Sequence, residues 1–102
     1  MSKIAVFVKV PVQPGKRDDL VAAMAPMFEQ IQKEDGTLHY GLFTSDSEPD
    51  AVRFFELYAD QAAMDAHMNS DVMKALFGEL AQFAAGAPEM VFASPAPGAK
   101  NL

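Results

Sequence analysis

The chain has 102 residues, with fourteen acidic against eight basic side chains and a formal charge of −6. That length suits one compact domain, and the acidic balance argues against nucleic acid or anionic membrane as partners, since both need basic patches. The sequence contains no cysteine, which excludes disulfides, thiolate metal sites and a cysteine nucleophile.

MSKIAVFVKV, at the start, has one lysine ahead of a short apolar run. It lacks the length and cleavage site of a signal peptide, and no apolar run is long enough to span a membrane. A cytoplasmic location is the expectation. IAVFVKV (Ile4 to Val10) is rich in β-branched residues, ends at Pro11 and reads as a strand. PVQPGK then forms a turn. From Lys16 to about Glu34 the residues Leu20, Met24, Met27, Phe28 and Ile31 recur at helical spacing. Asp18 and Asp19 fall in the first turn and Lys33 in the last, as the helix dipole favours. Pro26, inside this stretch, predicts a kink or a lost hydrogen bond, and Gly36 a stop.

TLHYGLFTS reads as a second strand, DSEPD as a turn and AVRFFELYA as a third strand. Asp60 is placed to cap a short helix running to about Met68. Ser70 is placed to cap another, with Val72, Met73, Leu76, Phe77, Leu80 and Phe83 as its apolar stripe and Gly86 and Pro88 as its stop. EMVFAS (Glu89 to Ser94) is a fourth strand. It closes a domain over residues 1–94, and residues 95–102 form a polar, proline-containing tail that is either disordered or reaches a partner.

The order β-α-β-β-α-β predicts an α+β, ferredoxin-like antiparallel sheet with helices on one face. Both faces of the strands are apolar. Ile4, Val6, Val8 and Val10 alternate with Ala5 and Phe7, and Val52, Phe54 and Tyr58 alternate with Phe55 and Leu57. Helices cover only one face of such a sheet, and a wetted second face would alternate cleanly with polar residues. The economical cover is the same face of a second copy, so a homodimer packed sheet against sheet is expected. His39, out of phase with Leu38 and Tyr40, would face that interface.

The segments VPVQPGKRDDLVAAM, EDGTLHYGLF and RFFELYADQAAMDAHMNSDVMKAL, in this order and spacing, resemble the antibiotic biosynthesis monooxygenase (ABM) domain family of the dimeric α+β barrel superfamily. The resemblance runs from about Ile4 to Ala93. It implies a small dimer and a menu of activities. Some members oxidise polycyclic phenols or quinols with oxygen and no metal, flavin or haem. A subgroup degrades haem, and a further relative acts on a phosphorylated, autoinducer-derived diketone. The haem-degrading branch uses an asparagine on the first strand, a tryptophan at the end of the short helix and a histidine in the last helix. Those positions align here with Val8, His67 and Phe77, which argues against haem degradation by that route. In the cofactor-free oxygenases the third strand commonly ends in glutamate, one residue, an aromatic and a short turn to aspartate. Here these are Glu56, Leu57, Tyr58, Ala59 and Asp60, and His67 stands where histidine is common in the wider family.

Cofactor-free oxygenation needs an ionised, electron-rich substrate. The protein must therefore supply a base, a dry pocket and a donor for the developing oxyanion. His67 is the expected base, because imidazole titrates nearest neutrality, with Tyr58 and Glu56 orienting it or the substrate. Tyr40, Phe54, Met73 and Phe77 are the expected substrate-binding residues, and Met24 and Met27 could join them. Each has a plainer reading. His67 is otherwise a partly exposed helix-end histidine, Glu56 a carboxylate paired with Arg53 or Lys9, and the tyrosines, phenylalanines and methionines ordinary core. No metal is expected, because the two histidines are far apart and no carboxylate stands at ligand spacing from either. The leading reading is a cofactor-independent monooxygenase acting with O2 on a phenolic, quinol or similarly acidic small molecule. The alternatives are an isomerase or other proton-transfer enzyme on a small carbonyl compound, and a non-catalytic binding or stress-associated dimer.

Overall fold

In the computed structural model, which describes residues 2–102, the chain runs β1 (Ile4–Pro11), α1 (Arg17–Ala23), α2 (Ala25–Ile31), β2 (Thr37–Ser45), β3 (Glu48–Tyr58), α3 (Gln61–Met68), α4 (Asp71–Leu80) and β4 (Glu89–Ala93). The strands make one antiparallel sheet in the order β2-β3-β1-β4. This is the ferredoxin-like α+β arrangement that the element order predicts.

Several local features differ from the sequence reading. The single helix expected over Lys16 to Glu34 is two helices that meet at Met24. Pro26 lies in the first turn of α2, where a missing N–H leaves no bond unmade, so it starts a helix and does not kink one. Lys33 falls beyond the end of α2. β3 begins at Glu48, ahead of the expected Ala51. Its first residue is held by Arg53, whose Nε and Nη2 donate to the Glu48 carboxylate at 3.0 and 3.1 Å. The fourth helix ends at Leu80, short of Phe83. There the chain is captured by the end of β1, through Gln13 N to Phe83 O at 2.9 Å and Ala85 N to Pro11 O at 2.8 Å.

The two caps stand where the sequence places them. Asp60 accepts from Ala63 N at 2.8 Å, and Ser70 accepts from Met73 N at 3.2 Å. α3 also packs directly on the α2–β2 turn. Ala59 N donates to Gly36 O at 2.9 Å, and a Cβ at Gly36 would overlap the Cβ of Ala63. A side chain at 36 would push helix and turn apart, so the glycine is there for close approach.

On the helix-covered face of the sheet, Val10, Val52 and Phe54 pack with Val12, Leu20, Met24, Met27 and Leu76. The other face carries Phe7, Phe43 and Val91, which are 49%, 56% and 60% exposed. Phe7 and Phe55 pair there with ring centroids 5.4 Å apart, and His39 stacks on Phe55, facing outward as expected. Residues 95–102 return over this outer face. Lys3 Nζ donates to Leu102 O at 2.7 Å, and His39 Nε2 lies 3.3 Å from Asn101 O.

Candidate active site

Between the sheet and α4 lies a cavity of about 250 Å³. Val8, Val10, Tyr40, Phe54 and Glu56 form its floor on the sheet. Met73, Leu76, Phe77 and Leu80 of α4 form its roof, and Met24, Met68 and Met90 fill its sides. Strand alternation explains the floor, since Val8 pairs with Phe54 and Tyr40 with Glu56, all on the helix-facing side. Of the expected substrate-binding residues, Tyr40, Phe54, Met73 and Phe77 all line the cavity, and so does Glu56. Met27 is fully buried in the core and does not.

His67 and Tyr58 lie outside that lining, buried to 1% and 0% exposure. His67 is therefore not the partly exposed helix-end residue of the plainer reading. Its ring sits 5.4 Å from the rings of both Tyr40 and Tyr58, centroid to centroid. The expected partners of Glu56 are also displaced. Lys9 and Arg53 pair with each other across β1 and β3 on the outer face, and both bind Glu48 there, at 3.0 Å each. Their hydrogen bonds, Arg53 first and then Lys9, pull the Glu48 carboxyl down to about 2. Glu56 instead accepts a hydrogen bond from the Tyr58 hydroxyl, two residues along on the same face.

Burial pushes the Glu56 carboxyl above the usual carboxylate range, and the Tyr58 hydrogen bond and the nearby His67 charge only partly oppose this. Burial, then the Glu56 charge, raises both Tyr40 and Tyr58. The two phenols are thus neutral donors at physiological pH. Glu56 is the one carboxyl lining an otherwise apolar cavity, and Tyr40 supplies its one phenol.

A residue not singled out in the sequence completes the arrangement. Glu34, in the α2–β2 turn, accepts from His67 Nδ1 at 2.8 Å and from Thr37 Oγ1 at 2.8 Å on one oxygen, and from Gln30 Nε2 at 2.9 Å on the other. Burial alone would raise this carboxyl, but the hydrogen bonds from Gln30, His67 and Thr37 and the His67 charge hold it below the usual range. An ionised carboxylate only accepts, so the proton between the two side chains belongs to Nδ1. His67 Nε2 is buried and has no hydrogen-bond partner among the described residues. The sequence shows Glu34 only as an acidic residue at a helix end. Its contact with His67 crosses 33 positions of chain.

Fold and cavity together define a small α+β protein with one buried carboxyl facing an apolar, methionine-rich pocket. The chain belongs to the antibiotic biosynthesis monooxygenase family, whose sequence model matches residues 3–79. Among solved structures it is similar to a candidate antibiotic biosynthesis monooxygenase from Caulobacter crescentus CB15, at 27% identity and TM-score 0.87, covering 93% of this chain and 91% of that one. It is also similar to a conserved protein from Methanosarcina mazei Go1, at 26% identity and TM-score 0.84, covering 91% and 92%. A curated relative, the uncharacterized protein sll1783 of Synechocystis, is 27% identical over 67 residues, and the match spans 66% of this chain but only 46% of that protein. No helix among the described residues is long and apolar enough to cross a membrane.

Proposed function

We propose that this protein is a cofactor-independent monooxygenase acting on a small phenol, quinol or similarly acidic carbon compound. The carrying observation is Glu56, the one carboxyl in the wall of a cavity otherwise built of apolar residues and Tyr40. The role of base moves from His67, which does not line the cavity, to Glu56. Burial raises the Glu56 carboxyl, so its ionised form binds an abstracted proton more strongly than an exposed carboxylate does.

Glu56 takes the proton of the bound phenol, and Tyr40 donates to the oxyanion that forms. The electron-rich phenolate passes an electron to O2, and the radical pair joins at a ring carbon to give a peroxide. Glu56 returns its proton to the peroxide, whose outer oxygen then leaves as water with the hydrogen of that ring carbon, and a quinone remains. One oxygen atom enters the ring and the other leaves as water, so the substrate supplies all the electrons. The apolar walls keep bulk water from the charged intermediate.

Oxygen uptake with 1-naphthol and naphthohydroquinone tests this. The expected result is uptake with quinone formation, lowered about 100-fold or more in Glu56→Gln. A lack of uptake alongside Glu56-dependent exchange of solvent deuterium into a carbonyl compound would overturn the oxygenase reading in favour of proton transfer. We further propose that two copies pack through the outer face of the sheet, which carries exposed Phe7, Phe43 and Val91.

A further inference from the structure

The walls of the cavity differ from end to end. Met24, Leu76, Phe54 and Glu56 are almost wholly buried, whereas Phe77 and Met90 are 52% and 42% exposed. The cavity is therefore closed at one end and open at the other. Strand pairing sets its direction. Met90, Val8 and Phe54 form one row across β4, β1 and β3, and Glu56 pairs with Tyr40 on β2 beyond. β4 lies at one edge of the sheet, so the opening is at that edge and the two polar side chains of the lining are at the inner end. Neighbouring strands stand about 4.8 Å apart, so the floor from Met90 to Phe54 is roughly 10 Å long. An apolar cavity of about 150 Å³ takes one benzene ring. A cavity of about 250 Å³ on a floor of that length takes two fused rings and no more. Among the described residues, no lysine, arginine or histidine lines it. A carboxylate or phosphate drawn inside would lose its water, find no cation and face the Glu56 charge. Part of the rim is fixed. Ala81, Ala84 and Gly86 lie between α4 and β4, where Val12 bridges Ala84 and Ala85 N donates to Pro11 O at 2.8 Å. Phe77 and Met90 are the large, half-exposed side chains of the opening.

We propose that the cavity binds an uncharged phenol of up to two fused rings, laid across the strands with its hydroxyl on Glu56 and Tyr40 and its far end at Phe77 and Met90, and that these last two side chains decide what the far end carries. This rests on the reading of Glu56 and Tyr40 as the groups that receive the substrate hydroxyl. A substituent beside the hydroxyl meets the closed end, where Phe54, Met24 and Leu76 are packed and one added methyl strains the core. The same methyl at the opposite end of the rings points into the opening and is accommodated. The Met90 thioether suits an aromatic edge, since sulfur packs favourably on rings and the unbranched side chain adapts to their shape.

Calorimetric titration of the full chain with 2-naphthol and its 3-methyl and 6-methyl derivatives tests this without turnover. The 3-methyl group lies beside the hydroxyl and the 6-methyl group at the opposite end of the rings. The 6-methyl compound should bind at least as tightly as 2-naphthol, and the 3-methyl compound about tenfold more weakly. Likewise 4-methylphenol should bind about tenfold or more tightly than 4-hydroxybenzoate, whose carboxylate would lie inside the cavity. In protein carrying ¹³C on the methionine methyls, the 6-methyl protons should give nuclear Overhauser effects to Met90 and none to Met24. Phe77→Ala and Met90→Ala, both at exposed positions, should weaken 2-naphthol binding yet reduce by about tenfold the penalty on 6-tert-butyl-2-naphthol relative to it. Binding of the 3-methyl isomer as tight as that of the 6-methyl isomer, equal binding of 4-hydroxybenzoate, Overhauser effects that miss Met90, or an unchanged tert-butyl penalty would each overturn the proposal, as would no binding of any of these phenols. Binding in this orientation without oxygen uptake would remove the oxygenase reading and leave this proposal standing. Uptake with the reversed isomer preference would remove this proposal and leave the oxygenase reading.

Discussion

Glu34 Oε1 and His67 Nδ1 lie 2.8 Å apart, joining the α2–β2 turn to the last turn of α3 behind the cavity. Gly36 makes the contact possible, because only a residue without Cβ lets the turn approach Ala63 so closely. Three donors converge on Glu34, so its carboxyl is a strong acceptor held in its charged form.

A carboxyl held below its unfolded value stabilises the fold fully above about pH 4.3, and that contribution is lost as pH falls through the folded value. Glu34→Gln should therefore lower stability at pH 7 by about 1–3 kcal/mol. The gap to the wild type should narrow as pH drops from about 5 to 3. Urea unfolding across that pH range measures both effects.

Glu56 has the opposite sign. Its carboxyl is raised in the folded protein, so the native state keeps its proton longer than the unfolded chain does. Stability must then fall as pH rises from about 4.3 through the folded value. Glu56→Gln keeps an oxygen for the Tyr58 hydroxyl and removes the buried charge. It should be about 0.5–2 kcal/mol more stable than the wild type at pH 7 and close to it near pH 4, while losing activity. Thermal melts at the two pH values check the first part and oxygen uptake the second.

Leu76 and Phe77 are neighbours on α4 with different duties. Both line the cavity, but Leu76 is also buried in the core, whereas Phe77 has half its surface in solvent. Leu76→Ala should cost about 2–4 kcal/mol. Phe77→Ala should cost less than about 1 kcal/mol and mainly weaken ligand retention. Denaturant midpoints alongside 1-naphthol titrations separate the two.

The outer face offers a simpler test. A charge placed at Phe43 or Val91 meets solvent in the monomer and an apolar partner in a sheet-to-sheet dimer. Phe43→Asp and Val91→Asp should leave the fold intact and halve the mass seen by light scattering at micromolar concentration. A wild type that is already monomeric there would remove the sheet-to-sheet proposal.

The sequence by itself determined what is local and periodic. Asp60 and Ser70 announce their helices because a cap acts on amides three positions away. Alternation in Ile4 to Val10 and Val52 to Tyr58 places Phe54 and Glu56 on one face, and the element order fixes the α+β topology. Signals open to two outcomes were decided by packing. Pro26 suits a helix start as well as a kink, and the acidic turn before β3 became strand once Glu48 found Arg53 and Lys9. Only the tertiary structure decided that Glu56 faces the cavity beside Tyr58, that His67 stands behind it, and that Glu34 is its partner. Those pairings join β3, α3 and the α2–β2 turn across long stretches of chain. Their distances depend on how helices seat on the sheet, which periodicity along the chain does not encode.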